Sequence, residues 1–228
     1  MYKRQEYNDP RLSRAFITKQ GTSGKEQAPG TADNAVYAPN GTPEQGTSKY
    51  GTSLFMYSIS APTLLLSYHE LKFLEAEALC RLERDAKSAL KDAVVAGLLN
   101  AENSFTISRK ELGKTLINAA SSITEAEAES YFDNTIEAKY TAEPLKTTMT
   151  QKYFALWGAS GEATESYNDV RRMKGLGENF IELKNPNSFP LRCPYGNSDT
   201  TTNAEVKAAY GNGQYVYSEN VWWAGGSR

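Results

Sequence analysis

Residues 62–79 read PTLLLSYHELKFLEAEAL, and this stretch decides the fold class. Ser67 and Glu70 have the spacing of a capping box, in which a hydroxyl and a carboxylate satisfy backbone N–H groups at the start of a helix. An apolar stripe at helical spacing follows, and we expect it to face the core. Its members are Leu71, Leu74, Ala78 and Leu82, widened by Phe73 and Ala76. The stretch therefore predicts an amphipathic helix that packs against another helix.

The capping-box spacing recurs at two later places in the chain. Ser108 stands before Glu111, and Thr124 stands before Glu127, so we predict that a helix begins at each. The turn at residues 83–85 is short, which places the first two helices in an antiparallel hairpin. In all, residues 62–175 predict six helices in hairpins, because this region is rich in Ala, Leu, Glu and Lys. The helix predicted from Ser108 carries Leu112, Leu116 and Ala120 on one face.

The regions on either side of the helices differ in composition. Residues 18–53 are rich in Gly, Pro, Thr and Ser without aliphatic periodicity, which predicts a long loop lying on the body of the protein. Tyrosine rings on such a loop can stack on a ligand, although packing is their commoner use. The candidates are Tyr37 and Tyr50, with Tyr57 next. Towards the C-terminus, Pro190 and Pro194 predict an extended strap that ends in a packed aromatic tail.

The stretch NDVRRMKGLG at residues 168–177 has two interpretations. Adjacent arginines can clamp an anion, or they can be the charged end of a helix. Cations in the last helical turn are favoured by about 0.3 to 1 kcal/mol, and Asp169 is spaced to pair with Arg172. We therefore predict that Arg171 and Arg172 end a helix and have a structural role.

The composition argues against several classes of function. With 25 Lys and Arg against 27 Asp and Glu, the net charge is −2, which predicts no nucleic-acid partner. The one histidine, His69, is predicted to be a surface helix residue, and neither Cys80 nor Cys193 has a metal-ligand spacing. The cysteines are interpreted as small buried residues, with one disulfide possible in an oxidising compartment. We therefore predict no metal and no cofactor.

Acidic side chains occur in pairs, but their spacing does not favour catalysis. Glu75 and Glu77 point to different faces of a helix, and Glu162 and Glu165 are typical first-turn acids. The sequence also lacks a GxSxG nucleophile elbow. We therefore predict that the chain is not an enzyme. No apolar run reaches the roughly 18 residues that a membrane-spanning helix needs.

Four motifs follow one another along nearly the whole chain. They are NDPRL at 8–12, PTLLLSYHELKFLEAEAL at 62–79, QKYFALWGASGEATESYNDVRRMKG at 151–175 and FPLRCPYGNSDTTTN at 189–203. In this order they resemble the SusD/RagB family of nutrient-binding outer membrane lipoproteins, in what would be its C-terminal half. The chain departs from the family pattern at three positions, where tryptophan, proline and glutamate are usual. These positions are Tyr167, Gly196 and Asp199.

The resemblance implies an all-α fold of tetratricopeptide-like helical hairpins, with long irregular loops and an extended C-terminal strap. Residues 1–228 would form a single domain fragment, with a mostly irregular loop at 1–60. Helical hairpins would occupy 61–177, and the strap would occupy 178–228. Several charged residues match family motifs and are expected to be structural. They are Asp169, Arg171, Arg172 and Arg192.

The resemblance also implies a function without catalysis. Such proteins capture an oligosaccharide or another nutrient at the cell surface and deliver it to a SusC-like TonB-dependent transporter in the outer membrane of Bacteroidota-type bacteria. A lipid anchor is expected in the N-terminal half, which this chain does not contain. The alternative is a helical-repeat adaptor that binds a protein or peptide. The long loop with Tyr37 and Tyr50 favours nutrient capture, because a minimal adaptor would not need it.

Overall fold

The computed structural model of the chain describes residues 4, 6–20, 25–27, 52–112, 121–182, 189–211 and 215–226. The chain divides into two compact units. The first consists of Met1–Pro39 and Pro43–Glu182, and the second of Asn40–Thr42 and Leu183–Arg228. The single-domain organisation stays a prediction.

Helices make up most of the described residues of the first unit, which confirms the all-α fold class. In chain order they are α1 (Tyr68–Arg81), α2 (Lys87–Leu112), α3 (Glu125–Tyr131), α4 (Glu137–Ala142), α5 (Pro144–Ala155) and α6 (Ala163–Gly175). A π-helical turn at Phe132–Ile136 joins α3 to α4. As the short turn predicts, α1 packs against α2, and both helices also contact α5.

A small antiparallel sheet precedes the helices, where the sequence predicted mostly irregular loop. Its strands are β1 (Phe16–Gln20), β2 (Lys25–Gln27) and β3 (Thr52–Ser53), in the order β2-β1-β3. Phe16 pairs with Ser53 in this sheet. The aromatic and β-branched start of β1 suits a strand, but its partner β3 lies far along the chain, so local composition did not indicate the pairing.

Two of the three predicted capping boxes begin a helix. The Glu70 N–H donates to the Ser67 hydroxyl over 3.1 Å, and the Glu127 N–H donates to the Thr124 hydroxyl over 3.2 Å. The prediction for Ser108 is wrong, because α2 runs through it without interruption. Its hydroxyl instead donates to the carbonyl oxygens of Ser104 and Leu54. Leu116 and Ala120 of the helix predicted there lie outside the described residues.

The core lies on a different face of α1 from the one predicted. Phe73 and Ala76 are fully buried, whereas Leu71, Leu74 and Leu82 are 51%, 41% and 62% exposed. The reason is that α1 turns the side carrying Phe73 and Ala76 towards α2 and α5. Leu71, Leu74 and Leu82 lie on the other side of the helix, so only the residues that widened the predicted stripe are in the core. The largest fully buried apolar side chains around Phe73 come from several elements. They include Leu54, Leu90, Leu98, Phe105, Phe132, Ile136 and Phe154.

The second unit contains two short helices, so the prediction of an extended strap is wrong at residues 197–202 and 204–210. The helices are α7 (Asn197–Thr202) and α8 (Ala204–Tyr210), followed by 3-10 turns at Tyr215–Tyr217 and Trp222–Ala224. Asn203 begins α8 by accepting hydrogen bonds from the Glu205 and Val206 N–H groups. The proline-containing residues 189–196 are not helical, as predicted. The local capping by Asn203 was the signal that the strap interpretation overlooked.

Three side chains are more exposed than the sequence predicted. Trp222 is 58% exposed, although the aromatic tail was predicted to be packed. Cys193 is exposed and Cys80 is only partly buried, and both are free thiols.

Within the described ranges, the structure contains no helix with the length and apolar character needed to cross a membrane.

Candidate functional site

The turn before α6 brings the start of that helix against the start of α1. Gly161 has φ +89°, and a Cβ at this position would overlap the carbonyl oxygen of Leu64. The Leu64 N–H donates to the Ser160 carbonyl oxygen over 2.7 Å. Only glycine combines this backbone conformation with so close an approach. The contact places Glu162 where its carboxylate accepts a hydrogen bond from the Ser67 N–H.

A buried polar cluster forms where these two helices begin. His69 is 2% exposed, so the prediction of a surface residue is wrong. Its Nε2 lies 3.2 Å from the Ser67 hydroxyl and 3.7 Å from the Glu162 Oε2. Burial lowers the pKa of His69, and the charge of Glu162 opposes this shift only in part. The imidazole is therefore neutral at neutral pH.

Glu70 shares this cluster and holds its proton unusually well. Burial, followed by the hydrogen bond and charge of Glu162, raises the pKa of Glu70 to about 7. The Glu162 Oε2 is buried, and the described residues place no other hydrogen-bond donor on it. A protonated Glu70 can donate to the Glu162 carboxylate, because two adjacent carboxylates favour sharing one proton.

Beside this cluster, a network of ion pairs joins α1 to α6. Glu77 on α1 is buried and accepts hydrogen bonds from Arg81 over 2.7 Å and from Arg172 over 2.8 Å. Burial alone would raise the pKa of Glu77, but the hydrogen bonds and charges of Arg172 and Arg81 lower it overall. Asp169 accepts from Arg172 over 2.8 Å and pairs with the buried Lys152 over 2.8 Å. The Arg172 guanidinium is therefore already occupied by two carboxylates.

A groove of about 490 Å³ lies between α1 and α6 above this network. It combines one apolar edge with charged residues of both signs. Its lining consists of Glu70, Leu74, Glu77, Ala78, Arg81, Lys152, Glu165, Asn168, Asp169 and Arg172. Among the residues that the structure describes, no three or more His, Cys, Asp or Glu side chains are grouped to hold a metal ion.

The structure brings together only some of the residues singled out from the sequence. Asp169 pairs with Arg172, whereas Arg171 is exposed and its guanidinium lies 5.7 Å from the centre of the Tyr167 ring. Arg192 belongs to the second unit, where its guanidinium lies 4.9 Å from the ring centre of Tyr195. Glu77 is buried and Glu75 exposed, as expected for opposite helix faces.

The predicted ligand-binding tyrosines are placed differently. Tyr37 and Tyr50 lie outside the described residues. The backbone of Tyr57 ends the 3-10 turn Leu54–Tyr57, and its side chain also lies outside the described part. Their role as stacking residues stays a prediction.

Sequence reasoning missed a second buried ionic centre in the N-terminal segment. The Arg11 guanidinium donates to both carboxylate oxygens of Asp9 and to the Phe154 carbonyl oxygen over 2.9 Å. Arg4 donates to the same carbonyl oxygen over 2.9 Å. Arg14 donates to both carboxylate oxygens of Glu127 on α3. The NDPRL motif is thus a turn that fastens the segment to α5, and its aspartate two residues before an arginine was the available signal.

If the Arg172 network is structural, replacing Glu77 with glutamine should weaken folding. We expect the free energy of unfolding to fall by about 1 to 2 kcal/mol, because two hydrogen-bonded guanidinium groups lose a charged partner but retain Asp169 and Glu178. Urea denaturation measures the change, and Glu75→Gln at the exposed position on the same helix is the matched control. An unchanged stability would contradict the structural role.

Comparison with known proteins supports one family. The family model described as SusD-like, starch-binding and associating with the outer membrane matches residues 3–195. A solved SusD/RagB family protein from Bacteroides thetaiotaomicron is 64% identical, with a TM-score of 0.87, and the match covers 100% of this chain and 49% of that protein. No curated protein matches the chain.

More distant solved structures share the fold. A SusD homologue from Bacteroides fragilis has a TM-score of 0.59 at 17% identity, with 97% of this chain and 50% of that protein covered. A Bacteroides vulgatus protein whose description names the outer membrane and nutrient binding has a TM-score of 0.57 at 20% identity, with 97% and 50% covered. The chain spans about half the length of these structures. On the strength of the family model and the 64% identical relative, this chain belongs to the SusD-like family.

Proposed function

We propose that the chain belongs to a non-catalytic protein that captures a nutrient, in the first place an oligosaccharide, at the bacterial cell surface. A SusC-like TonB-dependent transporter would receive the nutrient, and a lipid anchor would hold the protein on the outer membrane. The observation that carries the proposal is the match of residues 3–195 to a family described as starch-binding and associating with the outer membrane.

The chemistry of the α1–α6 groove supports a scaffold role for the described helices. Its cations Lys152 and Arg172 are paired with Asp169, and Arg81 is paired with Glu77 and Glu178. Among the residues that the structure describes, no aromatic ring lines the groove. Sugar sites commonly combine an aromatic face with a few hydrogen-bonding groups, so the capture surface is proposed elsewhere. Tyr37 and Tyr50, with Tyr57 next, remain the proposed stacking residues.

Retardation of the chain in gels that contain soluble starch tests the proposal. We expect the wild-type chain to be retarded and the Tyr37→Ala/Tyr50→Ala double variant to bind about 10-fold more weakly or worse, because each ring contributes about 0.5 to 1.5 kcal/mol to a stacked contact. The matched control replaces two exposed tyrosines elsewhere, Tyr167 and Tyr217, with alanine. Control and wild type should migrate alike.

The possible outcomes test the two stacking tyrosines and the proposed function separately. Equal retardation of the double variant and the wild type would reject Tyr37 and Tyr50 as stacking residues. If starch and a panel of other glycans all fail to retard the wild-type chain, oligosaccharide capture by this chain is rejected. Capture of a peptide without any glycan response would instead favour the adaptor alternative.

A further inference from the structure

Three buried polar atoms near the N-terminal ion pair lack a protein partner. Among the residues that the structure describes, the Tyr131 hydroxyl, the Thr150 hydroxyl and the Gln151 amide nitrogen make no hydrogen bond of good geometry. Tyr131 is 6% exposed, and Thr150 and Gln151 are each 1% exposed, so bulk water does not reach them. Nearly all buried polar groups in folded proteins have a partner, because an unsatisfied one destabilises the fold. These three atoms therefore require one.

The three side chains belong to one neighbourhood. Burial raises the pKa of Tyr131, and the charge of Asp9 adds to this rise, whereas Gln151 lies near enough to oppose it. Burial also raises the pKa of Tyr7, and Thr150 lies near enough to oppose that rise. Tyr7 in turn acts on Tyr131. The end of α3, the middle of α5 and the N-terminal segment thus meet at these polar groups.

The N-terminal segment packs against α5 beside this neighbourhood. The Tyr7 ring meets the Phe154 ring edge-on, with ring centres 5.5 Å apart. The Lys139 ammonium lies 4.5 Å from the centre of the Tyr7 ring. The Arg11 guanidinium donates to the Phe154 carbonyl oxygen over 2.9 Å. The polar groups are enclosed by these contacts, so a partner for them is enclosed as well.

The chemistry of the three groups favours a neutral partner that both donates and accepts hydrogen bonds. The Gln151 amide nitrogen can only donate, whereas the hydroxyls of Tyr131 and Thr150 can do either. A water molecule meets both needs, and a buried water typically makes about three hydrogen bonds. An anion is disfavoured because the Asp9 carboxylate is the strongest charge acting on Tyr131. A cation is disfavoured because the amide nitrogen has no lone pair to offer it.

We propose that a buried water molecule is bound between α3, α5 and the N-terminal segment. The Gln151 amide donates to its oxygen, and the hydroxyls of Tyr131 and Thr150 are its other partners. The water is a structural ligand that connects three parts of the chain that lie far apart in sequence. This site is independent of the nutrient that the protein captures.

A crystal structure of the chain tests the site directly. We expect an ordered water oxygen about 2.7 to 3.2 Å from the Gln151 Nε2 and equally close to at least one of the two hydroxyls. Crystals soaked in bromide distinguish a water from a halide ion, because bromide scatters anomalously. Bromide at this position would overturn the proposal. A direct hydrogen bond from the Gln151 amide to another protein group, with no water between them, would overturn it as well.

Substitutions that keep the side-chain shape test whether the water stabilises the fold. Tyr131→Phe and Thr150→Val each remove one hydroxyl. We expect each to lower the folding equilibrium constant by about 2- to 10-fold, because a hydrogen bond to the water is lost. The double variant should lose less than the product of the two effects, because both hydroxyls bind the same water. Urea denaturation measures the three constants.

The matched control removes the same two hydroxyls at exposed positions. Tyr68→Phe/Thr164→Val, on α1 and α6, should change the folding equilibrium constant by less than about 2-fold. All variants should keep the helical circular dichroism of the wild type. An unchanged or higher folding constant for Tyr131→Phe or Thr150→Val would show that the hydroxyl binds no water. Effects that multiply fully in the double variant would show that Tyr131 and Thr150 share none.

Discussion

Replacing Arg11 with leucine is expected to lower the free energy of unfolding by about 3 to 5 kcal/mol. Arg11 is among the largest fully buried side chains, and its guanidinium makes a bidentate contact with Asp9 at 2.9 and 2.7 Å. Removing it leaves the Asp9 carboxylate buried, with Arg4 at 3.8 Å as the remaining ion-pair partner. The Phe154 carbonyl oxygen also loses one of its two arginine donors. Chemical denaturation of the wild type and the variant measures the difference.

The electrostatics of this centre connect the Asp9 carboxylate to two buried arginines. Burial acts to raise the pKa of Asp9, but the charge and hydrogen bonds of Arg11, followed by the charge of Arg4, lower it overall. Burial and the neighbouring Arg11 lower the pKa of Arg4 to about 9. We therefore expect Asp9→Asn to be destabilising as well, because it removes the carboxylate that pairs with the buried guanidinium groups of both Arg4 and Arg11.

A matched substitution at the surface controls for the general effect of replacing arginine with leucine. Arg84 is exposed between α1 and α2, and Arg84→Leu should change the free energy of unfolding by less than about 0.5 kcal/mol. Similar losses for Arg84→Leu and Arg11→Leu would show that the Asp9–Arg11 pair does not hold the N-terminal segment in place.

The sequence predicted the existence of the helices better than their packing. Ser67 and Thr124 begin helices because capping is a local interaction between a side chain and the next turn. The same spacing at Ser108 does not begin a helix, because the residues before it are also good helix formers. A capping-box spacing alone does not show whether a helix begins there or continues through it. On α1, apolar residues occur on two faces, and only the positions of α2 and α5 decide that Phe73 is buried and Leu71 is not.

The polar contacts of the site could be predicted only where they are local. The Asp169–Arg172 pair follows from their spacing on one helix. By contrast, Glu77 with Arg172 and His69 with Glu162 are brought together by tertiary packing across most of the helical region. Charged residues are rarely fully buried, so composition alone places Arg11 and Glu162 at the surface. Their burial reflects a fold that supplies each with specific partners.

The contribution of Glu70 to the free energy of unfolding is expected to fall as the pH rises from about 4.5 to above 7. The pKa of Glu70 is raised from 4.5 to about 7 in the folded chain, so the folded state holds a proton that the unfolded chain releases. The contribution of Glu70 is fully present below about pH 4.5 and is lost as the pH passes through about 7. We expect the free energy of unfolding to fall by about 1 to 3 kcal/mol over this range. One pKa unit corresponds to about 1.4 kcal/mol, and solvent in the neighbouring groove screens part of the effect.

Glu70→Gln isolates this contribution. Glutamine is a neutral mimic of the protonated acid, and its amide can donate to the Glu162 carboxylate at every pH. Above pH 7 the variant should therefore be more stable than the wild type by about 1 to 3 kcal/mol, and the two should converge near pH 4.5. Urea denaturation at pH values from 4.5 to 8.5 measures both curves.

Other titrating groups near Glu70 have to be separated from it. His69 has a lowered pKa, so its contribution is lost as the pH falls below its usual value of 6.5, in the opposite sense to Glu70. Glu162, Glu165 and Lys152 also act on the Glu70 carboxyl. These neighbours remain in Glu70→Gln, so the difference between variant and wild type reports mainly on the Glu70 proton. Glu75→Gln, at an exposed position on α1, should run parallel to the wild type, and a parallel curve for Glu70→Gln as well would show that Glu70 and Glu162 share no proton.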